Sequence, residues 1–157
     1  MKKIDYKSLF TFIGISLAFG VLGAILGGDM KHFESLNKPS FSPPSFLFPI
    51  VWTILYILMG ISAYLVCKNK TDKKFRKRAI TVFIIQLAIN ALWPLFFFRF
   101  EMLLFSFIWL LLLLAFVVIM FIKFYKINPI SGYLQIPYIL WLIFAGILNF
   151  AIYMLNR

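Results

Sequence analysis

The chain has 157 residues, of which 63% are hydrophobic and 13% are charged. Its mean hydropathy of +0.96 means that it carries more apolar surface than a soluble domain of this length can bury. An ordinary globular domain is therefore excluded, and the composition predicts an integral membrane protein. A net charge of +11 could indicate nucleic-acid binding. The positive residues are instead distributed as membrane topology requires, so we expect no nucleic acid as a partner.

Long apolar stretches predict the architecture. A bilayer core about 30 Å thick needs about 20 apolar residues per helix, and no stretch alternates with the period of two that marks a membrane barrel. We therefore expect a single all-α domain, a bundle of five transmembrane helices joined by loops. The helices are predicted at about 8–27, 46–67, 79–98, 102–122 and 130–155.

The first apolar stretch has two interpretations. Lys2 and Lys3 precede it, as in a secretory signal peptide, but the run is long and no small-x-small cleavage site follows, so we favour a membrane helix. Gly23 and Gly27 form a GxxxG pair, with Gly20 nearby. Such glycines permit close contact with another helix, either within the bundle or across a homodimer.

A proline-rich loop at 28–45 follows this helix. Four of the seven prolines lie between Asn37 and Pro49. Since proline fixes φ and restricts the residue before it, we expect Asn37 to Pro49 to form a stiff, non-helical cover. Beneath it, Trp52 and Tyr56 share one face of the next helix because they are four residues apart.

The positive residues are divided unequally between the two sides of the predicted bundle. By the positive-inside rule, the N-terminus and the second loop are cytoplasmic, whereas the proline-rich loop and the C-terminus lie outside, in what we expect to be a bacterial cell membrane. One side carries Lys2, Lys3, Lys7, Lys68, Lys70, Lys73, Lys74, Arg76, Lys77, Arg78, Lys123 and Lys126, and the other carries Lys31, Lys38, Arg99 and Arg157.

The interior of the predicted helices holds amides and aromatic rings but no well-buried charge, which disfavours an ion pump or a proton-coupled carrier. At helical spacing, Gln86, Asn90 and Trp93 share a face. A second face carries Tyr138, Trp141, Ala145 and Asn149. Topology brings both faces and Trp52 towards one volume below the proline-rich loop. We favour a ligand pocket there, and the alternative is that aromatics and amides only hold the helices together.

Two prolines are expected to shape the predicted helices. Pro94 is expected to end or bend the third helix, and Pro137 to kink the fifth beside Tyr138 and Trp141, for a pocket or for packing alone. Cys67 and His32 are the single cysteine and histidine. The sequence therefore predicts neither an intrachain disulfide nor a metal site.

Several motifs follow one another along nearly the whole chain: Leu36-Asn37-Lys38-Pro39, Pro43-Pro44, Pro49-x-Val51-Trp52-Thr53-x-Leu55-Tyr56, Met59-Gly60, Asn90-x-x-Trp93-Pro94 with Phe97-Phe98, and Pro137-Tyr138-x-x-Trp141. In these motifs the chain resembles the translocator protein family (TspO/MBR), also called tryptophan-rich sensory proteins or peripheral-type benzodiazepine receptors. The resemblance implies a five-helix bundle, often dimeric, that binds porphyrins such as protoporphyrin IX. In some members it also implies sterols and benzodiazepine-type ligands.

The resemblance also implies which residues line the pocket. Carried over by position, these are Phe33, Trp52, Tyr56, Asn90, Trp93, Trp141 and Ala145, and Pro43, Pro44 and Tyr138 complete the predicted ligand-binding set. Two residues depart from the family pattern. Phe41 stands where a tryptophan usually follows Lys-Pro-Ser, and Trp109 lies near the position of an acidic residue that many members carry.

Three classes of function are open. We rank a porphyrin-binding receptor or sensor first, with the porphyrin as ligand and no other cofactor. A light- and oxygen-dependent porphyrin-degrading enzyme is second, and in it Trp52 and Trp141 would be catalytic. A tetrapyrrole or sterol transporter is third, because the chain shows no inverted repeats. Leu148, Tyr153 and Arg157 match a loose sterol motif, although the last two also suit an interfacial anchor.

Overall fold

The computed structural model describes residues 4–157, apart from the side chain of His32. Lys2 and Lys3, which we assigned to the positive side, lie outside the described residues. The elements are α1 (Tyr6–Gly27), α2 (Lys31–Ser35), α3 (Leu47–Lys68), α4 (Lys73–Pro94), a π-helical turn (Leu95–Arg99), α5 (Leu103–Ile127), α6 (Pro129–Tyr133) and α7 (Ile136–Leu155). Five segments are long and apolar enough to span a membrane: α1, α3, α4 with its π-helical turn, α5, and α6 with α7. The all-α class and the five-helix membrane bundle are confirmed.

Short polar side chains set where the helices begin at one end of the bundle, which we call the basic end. Asp5, Asp72 and Asn128 each accept a hydrogen bond from a backbone N–H group two or three residues further along, at 2.8–3.2 Å. Asp5 also accepts a hydrogen bond from the Ser8 hydroxyl at 2.7 Å and lies 3.3 Å from Lys68 Nζ. The bonds from Ser8 are the main cause that lowers the pKa of Asp5 from 3.8 to about 2.

Glycines allow α1 to approach its two neighbours closely. A Cβ atom at Gly60 of α3 would come within 2.5 Å of the Ile13 Cα in α1. On its other side, α1 places Gly23 and Gly27 against α4, where Cβ atoms would lie 3.3 Å from Ala91 and 2.8 Å from a proline ring atom. The GxxxG pair therefore serves a contact within the bundle. The homodimer stays a prediction.

The spans pack in the order α3, α1, α4, α5 and α7, each closely against the next. Between the last and the first, close packing is confined to the basic end, where α6 contacts α3 and the Ser62 hydroxyl donates a hydrogen bond to the Ser131 carbonyl oxygen at 2.6 Å. Towards the other end, which we call the loop end, the backbones of α3 and α7 do not pack closely. We call the facing sides of α3 and α7 in the loop-end half of the bundle the seam.

The prolines act differently from expectation in two places. Pro49 lies in the first turn of α3, so the predicted non-helical stretch from Asn37 to Pro49 ends earlier, at Phe46. Pro137 stands in the first turn of α7 and does not kink a continuous helix, because the chain has already turned at residues 134–135. Both prolines occupy positions whose N–H group has no helical partner, which is why they start helices.

Other boundaries differ by shorter lengths. The loop predicted at 28–45 contains the short helix α2, and α4 begins at Lys73, inside the segment that we assigned to the basic loop. The expectation for Pro94 is confirmed. It is the last residue of α4 and leads directly into the π-helical turn.

Candidate functional site

The base of the loop is a buried aromatic cluster. Phe33, on α2, is only 3% exposed, and its ring lies 5.6 Å from Phe48, 6.1 Å from Phe97 and 6.0 Å from Phe98, measured between centroids. These partners come from α3 and from the π-helical turn. The short helix α2, which the sequence did not indicate, therefore places Phe33 above the core of the bundle.

Aromatic rings meet across the seam in two pairs. Phe48 of α3 and Trp141 of α7 have centroids 6.0 Å apart, and Trp52 of α3 and Tyr138 of α7 are 6.1 Å apart, both with steep interplanar angles. Trp52 is also 5.8 Å from Tyr56. The Nε1–H group of Trp141 is buried without a hydrogen-bond partner among the described residues. Since buried donors are normally paired, this indole is available to an acceptor on a ligand.

A buried chain of hydrogen bonds holds Tyr138 behind these rings. Asn90 Nδ2 donates to the Tyr138 hydroxyl at 2.9 Å, and that hydroxyl donates to Gln86 Oε1 at 3.0 Å. Gln86 Nε2 lies 3.5 Å from the sulfur of Met59. We had expected the Asn90 amide to face a ligand, but it is hydrogen-bonded to Tyr138. Asn90 therefore affects a ligand indirectly, by fixing the position of the Tyr138 ring.

Trp93 belongs to a neighbouring layer that joins α4, α5 and α7. Its Nε1–H donates to Asn149 Oδ1 at 3.3 Å, and the same oxygen accepts a bond from Ser106 at 3.0 Å. The Trp93 ring stacks on Phe97, with centroids 5.0 Å apart. Trp93 therefore reaches the cluster under the loop through Phe97, and direct contact with a ligand stays a prediction.

The loop is fastened at both sides. The Asn37 N–H donates to Asn156 Oδ1 at 3.0 Å, and Asn156 Nδ2 donates to the Asn37 carbonyl at 2.9 Å, which ties the loop to the end of α7. Lys38 Nζ donates to the Phe33 and Glu34 carbonyls at 3.0 and 3.1 Å, closing the end of α2. Sequence reasoning missed Asn156, because no local pattern connects residues so far apart.

The remaining predicted ligand-binding residues differ in exposure. Pro43 and Ala145 are half-buried, Pro44 is exposed, and Tyr56 is buried against α1, where its ring occupies the space beside Gly20. Phe41 is exposed and packs its ring 6.4 Å from Phe144.

Of the residues in the loose sterol motif, Leu148 is buried in the bundle, Tyr153 is half-buried and Arg157 is exposed. A sterol surface formed by these three residues stays a prediction. Trp109 lies elsewhere, between α5 and α4, where its Nε1–H donates to the Ile89 carbonyl at 2.8 Å. Its ring also lies 4.9 Å from Phe96, so it packs helix against helix.

Two open grooves border the aromatic rings beneath the loop. A groove of about 370 Å³ runs along the seam and reaches Trp141. A second groove of about 460 Å³ between α5 and α7 includes Phe41. A third cleft, of about 650 Å³, lies at the basic end and contains none of the predicted site residues. The groove on the seam is therefore the one next to the candidate site.

Comparison with known proteins agrees with the motifs. The profile of the TspO/MBR family matches residues 12–155. Protein CrtK of Rhodobacter capsulatus is 36% identical over 137 residues, covering 87% of this chain and 85% of that protein. Tryptophan-rich protein TspO of Chlorobaculum tepidum is 35% identical over 146 residues, 92% of either chain. The human translocator protein is 31% identical over 134 residues, 83% of this chain and 78% of its own.

Proposed function

The chain belongs to the TspO/MBR family, and from that premise we propose that it is a membrane receptor or sensor that binds porphyrins, such as protoporphyrin IX, and similar apolar ligands. The observation that carries the proposal is the pair of ring contacts across the seam, Phe48 with Trp141 and Trp52 with Tyr138. Four aromatic rings face one another there between two helices whose backbones do not pack closely.

A flat tetrapyrrole matches this arrangement chemically. Its faces can stack on indole and phenol rings in place of the edge-on pairs, and each aromatic contact contributes about 0.5–1.5 kcal/mol beyond buried area. The buried Nε1–H of Trp141 supplies one donor to the ligand. Gln86 and Asn90 hold Tyr138 in one orientation through its hydroxyl, so this wall of the site is preorganised.

A second candidate is light- and oxygen-dependent degradation of the bound porphyrin. It is favoured by the position of Trp52 and Trp141, whose indoles both contact the rings at the seam. In this alternative the excited porphyrin and dioxygen supply the oxidising chemistry, and the two tryptophans are the catalytic residues that lie next to it.

For localisation, the proposal places the basic end in the cytoplasm and the C-terminus outside, in a bacterial cell membrane. The lysines and arginines near the ends of α3, α4 and α5 support this orientation. A homodimer is proposed through α1, because α1 is the least covered of the five spans and an added Cβ at Gly14 would meet no atom within 4 Å.

Porphyrin titration in lipid nanodiscs tests the function. Trp52→Phe and Trp141→Phe should each weaken protoporphyrin IX binding roughly 2- to 12-fold, which corresponds to the loss of about 0.5–1.5 kcal/mol of aromatic contact. Trp109→Phe is the matched control, since Trp109 lies outside the site. It should lower thermal stability and leave affinity unchanged. Porphyrin fluorescence is the readout, because tryptophan emission changes in every variant.

Absorbance in light and dark separates the two candidates. Binding without loss of the Soret band supports the sensor, whereas loss only in illuminated protein supports the enzyme. A loss of binding in Trp109→Phe alone would show that the site has been placed wrongly.

A further inference from the structure

We propose, on the basis of the function proposed above, that the ligand reaches its site sideways from the bilayer through the seam between α3 and α7, and not by the lifting of the proline-rich loop. The ligand class is a flat, apolar molecule dissolved in the membrane. The seam is then a lateral entrance from the bilayer, and the present structure shows it closed.

The groove on the seam opens towards lipid and ends at the candidate site. Val51, Ile54 and Leu55 form its α3 wall, and Leu140, Trp141 and Phe144 form its α7 wall. Ile54 is 54% exposed and Leu140 is 61% exposed, so both lie at the mouth, whereas Leu55 is buried at 3%. The groove therefore leads from the surface of the bundle to Trp141, whose ring contacts Phe48.

Only side-chain contacts close the seam. Among the described residues no hydrogen bond joins α3 to α7, and the two edge-on ring pairs bridge them instead. Elsewhere the helices are held more firmly: α1 meets α3 at backbone distance beside Gly60, and Tyr138 hydrogen-bonds α7 to α4. Aromatic pairs are weak and re-form readily on another flat ring. A planar ligand can thus replace the contacts that it breaks.

The loop offers a less favourable route. Lifting it would break the two hydrogen bonds between Asn37 and Asn156 and would pull Phe33 out of its cluster of three rings. No part of the ligand replaces those bonds in the open state. At the basic end, beyond the seam, the Ser62 hydroxyl donates to the Ser131 carbonyl oxygen and holds α3 against α6. The seam is therefore the boundary of the site that separates without losing a hydrogen bond among the described residues.

A bulky residue at the mouth tests the route. Stopped-flow measurement of protoporphyrin IX binding to the full chain in nanodiscs should show association and dissociation both slowed about tenfold by Ile54→Trp, the change expected for about 1.4 kcal/mol of added barrier. The Kd should stay the same, because the bound state is not altered. Leu140→Trp, on the opposite wall, should act likewise. Ile108→Trp is the matched control, an isoleucine on α5 that is also 54% exposed and lies outside the groove.

Asn156→Ala distinguishes the two routes. It removes both bonds that tie the loop to α7, so it should accelerate association if the ligand passes under the loop and leave the rate unchanged if the ligand passes through the seam. The proposal is overturned if Ile54→Trp and Leu140→Trp bind at the rate of Ile108→Trp, or if Asn156→Ala binds faster. Failure of the unmodified protein to bind protoporphyrin IX would instead refute the proposed function, and the route would be rejected with it.

Discussion

Replacing Tyr138 by phenylalanine removes one oxygen atom from the centre of the bundle and leaves the ring in place. That hydroxyl accepts a hydrogen bond from Asn90 and donates one to Gln86, and Tyr138 is only 1% exposed. The change deletes two bonds and leaves one buried polar atom on each amide, Asn90 Nδ2 and Gln86 Oε1, without its partner. In a soluble core each unpaired group would cost about 1–3 kcal/mol. Bonds between membrane helices average about 0.6 kcal/mol and reach about 1.7 kcal/mol.

The membrane values apply here, because Asn90, Gln86 and Tyr138 lie on spanning helices. Two bonds then contribute about 1–3 kcal/mol, and we expect Tyr138→Phe to lower the free energy of unfolding by that amount in mixed-micelle denaturation. Tyr56→Phe makes the same chemical change at a hydroxyl with no hydrogen bond among the described residues, so it is the control. Equal losses in both variants, or no loss in Tyr138→Phe, would refute the assigned network.

Three further predictions concern packing, pH and orientation. Gly60→Ala should destabilise the bundle by roughly 1–3 kcal/mol through overpacking, whereas Gly146→Ala, where an added Cβ would meet no atom within 4 Å, should be neutral or slightly stabilising in the same denaturation assay. The contribution of Asp5 to stability is complete above its unfolded pKa of 3.8 and is lost as the pH falls through about 2, so thermal stability should decline between these values, and less so in Asp5→Asn. A cysteine near Lys70 should resist impermeant reagents in intact cells, while one near Ser42, at the exposed Ser40, is labelled, and the reverse pattern would invert the topology.

Much of the fold could be predicted because membrane helices have a strong local signal. Each span needs its own run of apolar residues, so the five spans and their approximate limits follow from hydropathy alone. Helical periodicity also assigned Gln86 and Asn90 to one face and Tyr138 to another. These predictions depend on residues that are close in sequence, and they agree with the structure.

The candidate site depends on contacts between distant segments, which no local pattern contains. Periodicity does not say that Tyr138 lies between Asn90 and Gln86, or that Gly23 packs on α4 and not on a second chain. A kink at Pro137 was predicted wrongly, because proline is found both at kinks and in the first turn of a helix. Only the turn that precedes α7 in the structure distinguishes the two cases. The seam between α3 and α7 likewise results from the order in which five helices close a ring. Glycines decide which helix backbones meet closely, and aromatic side chains fill the gap that remains between α3 and α7.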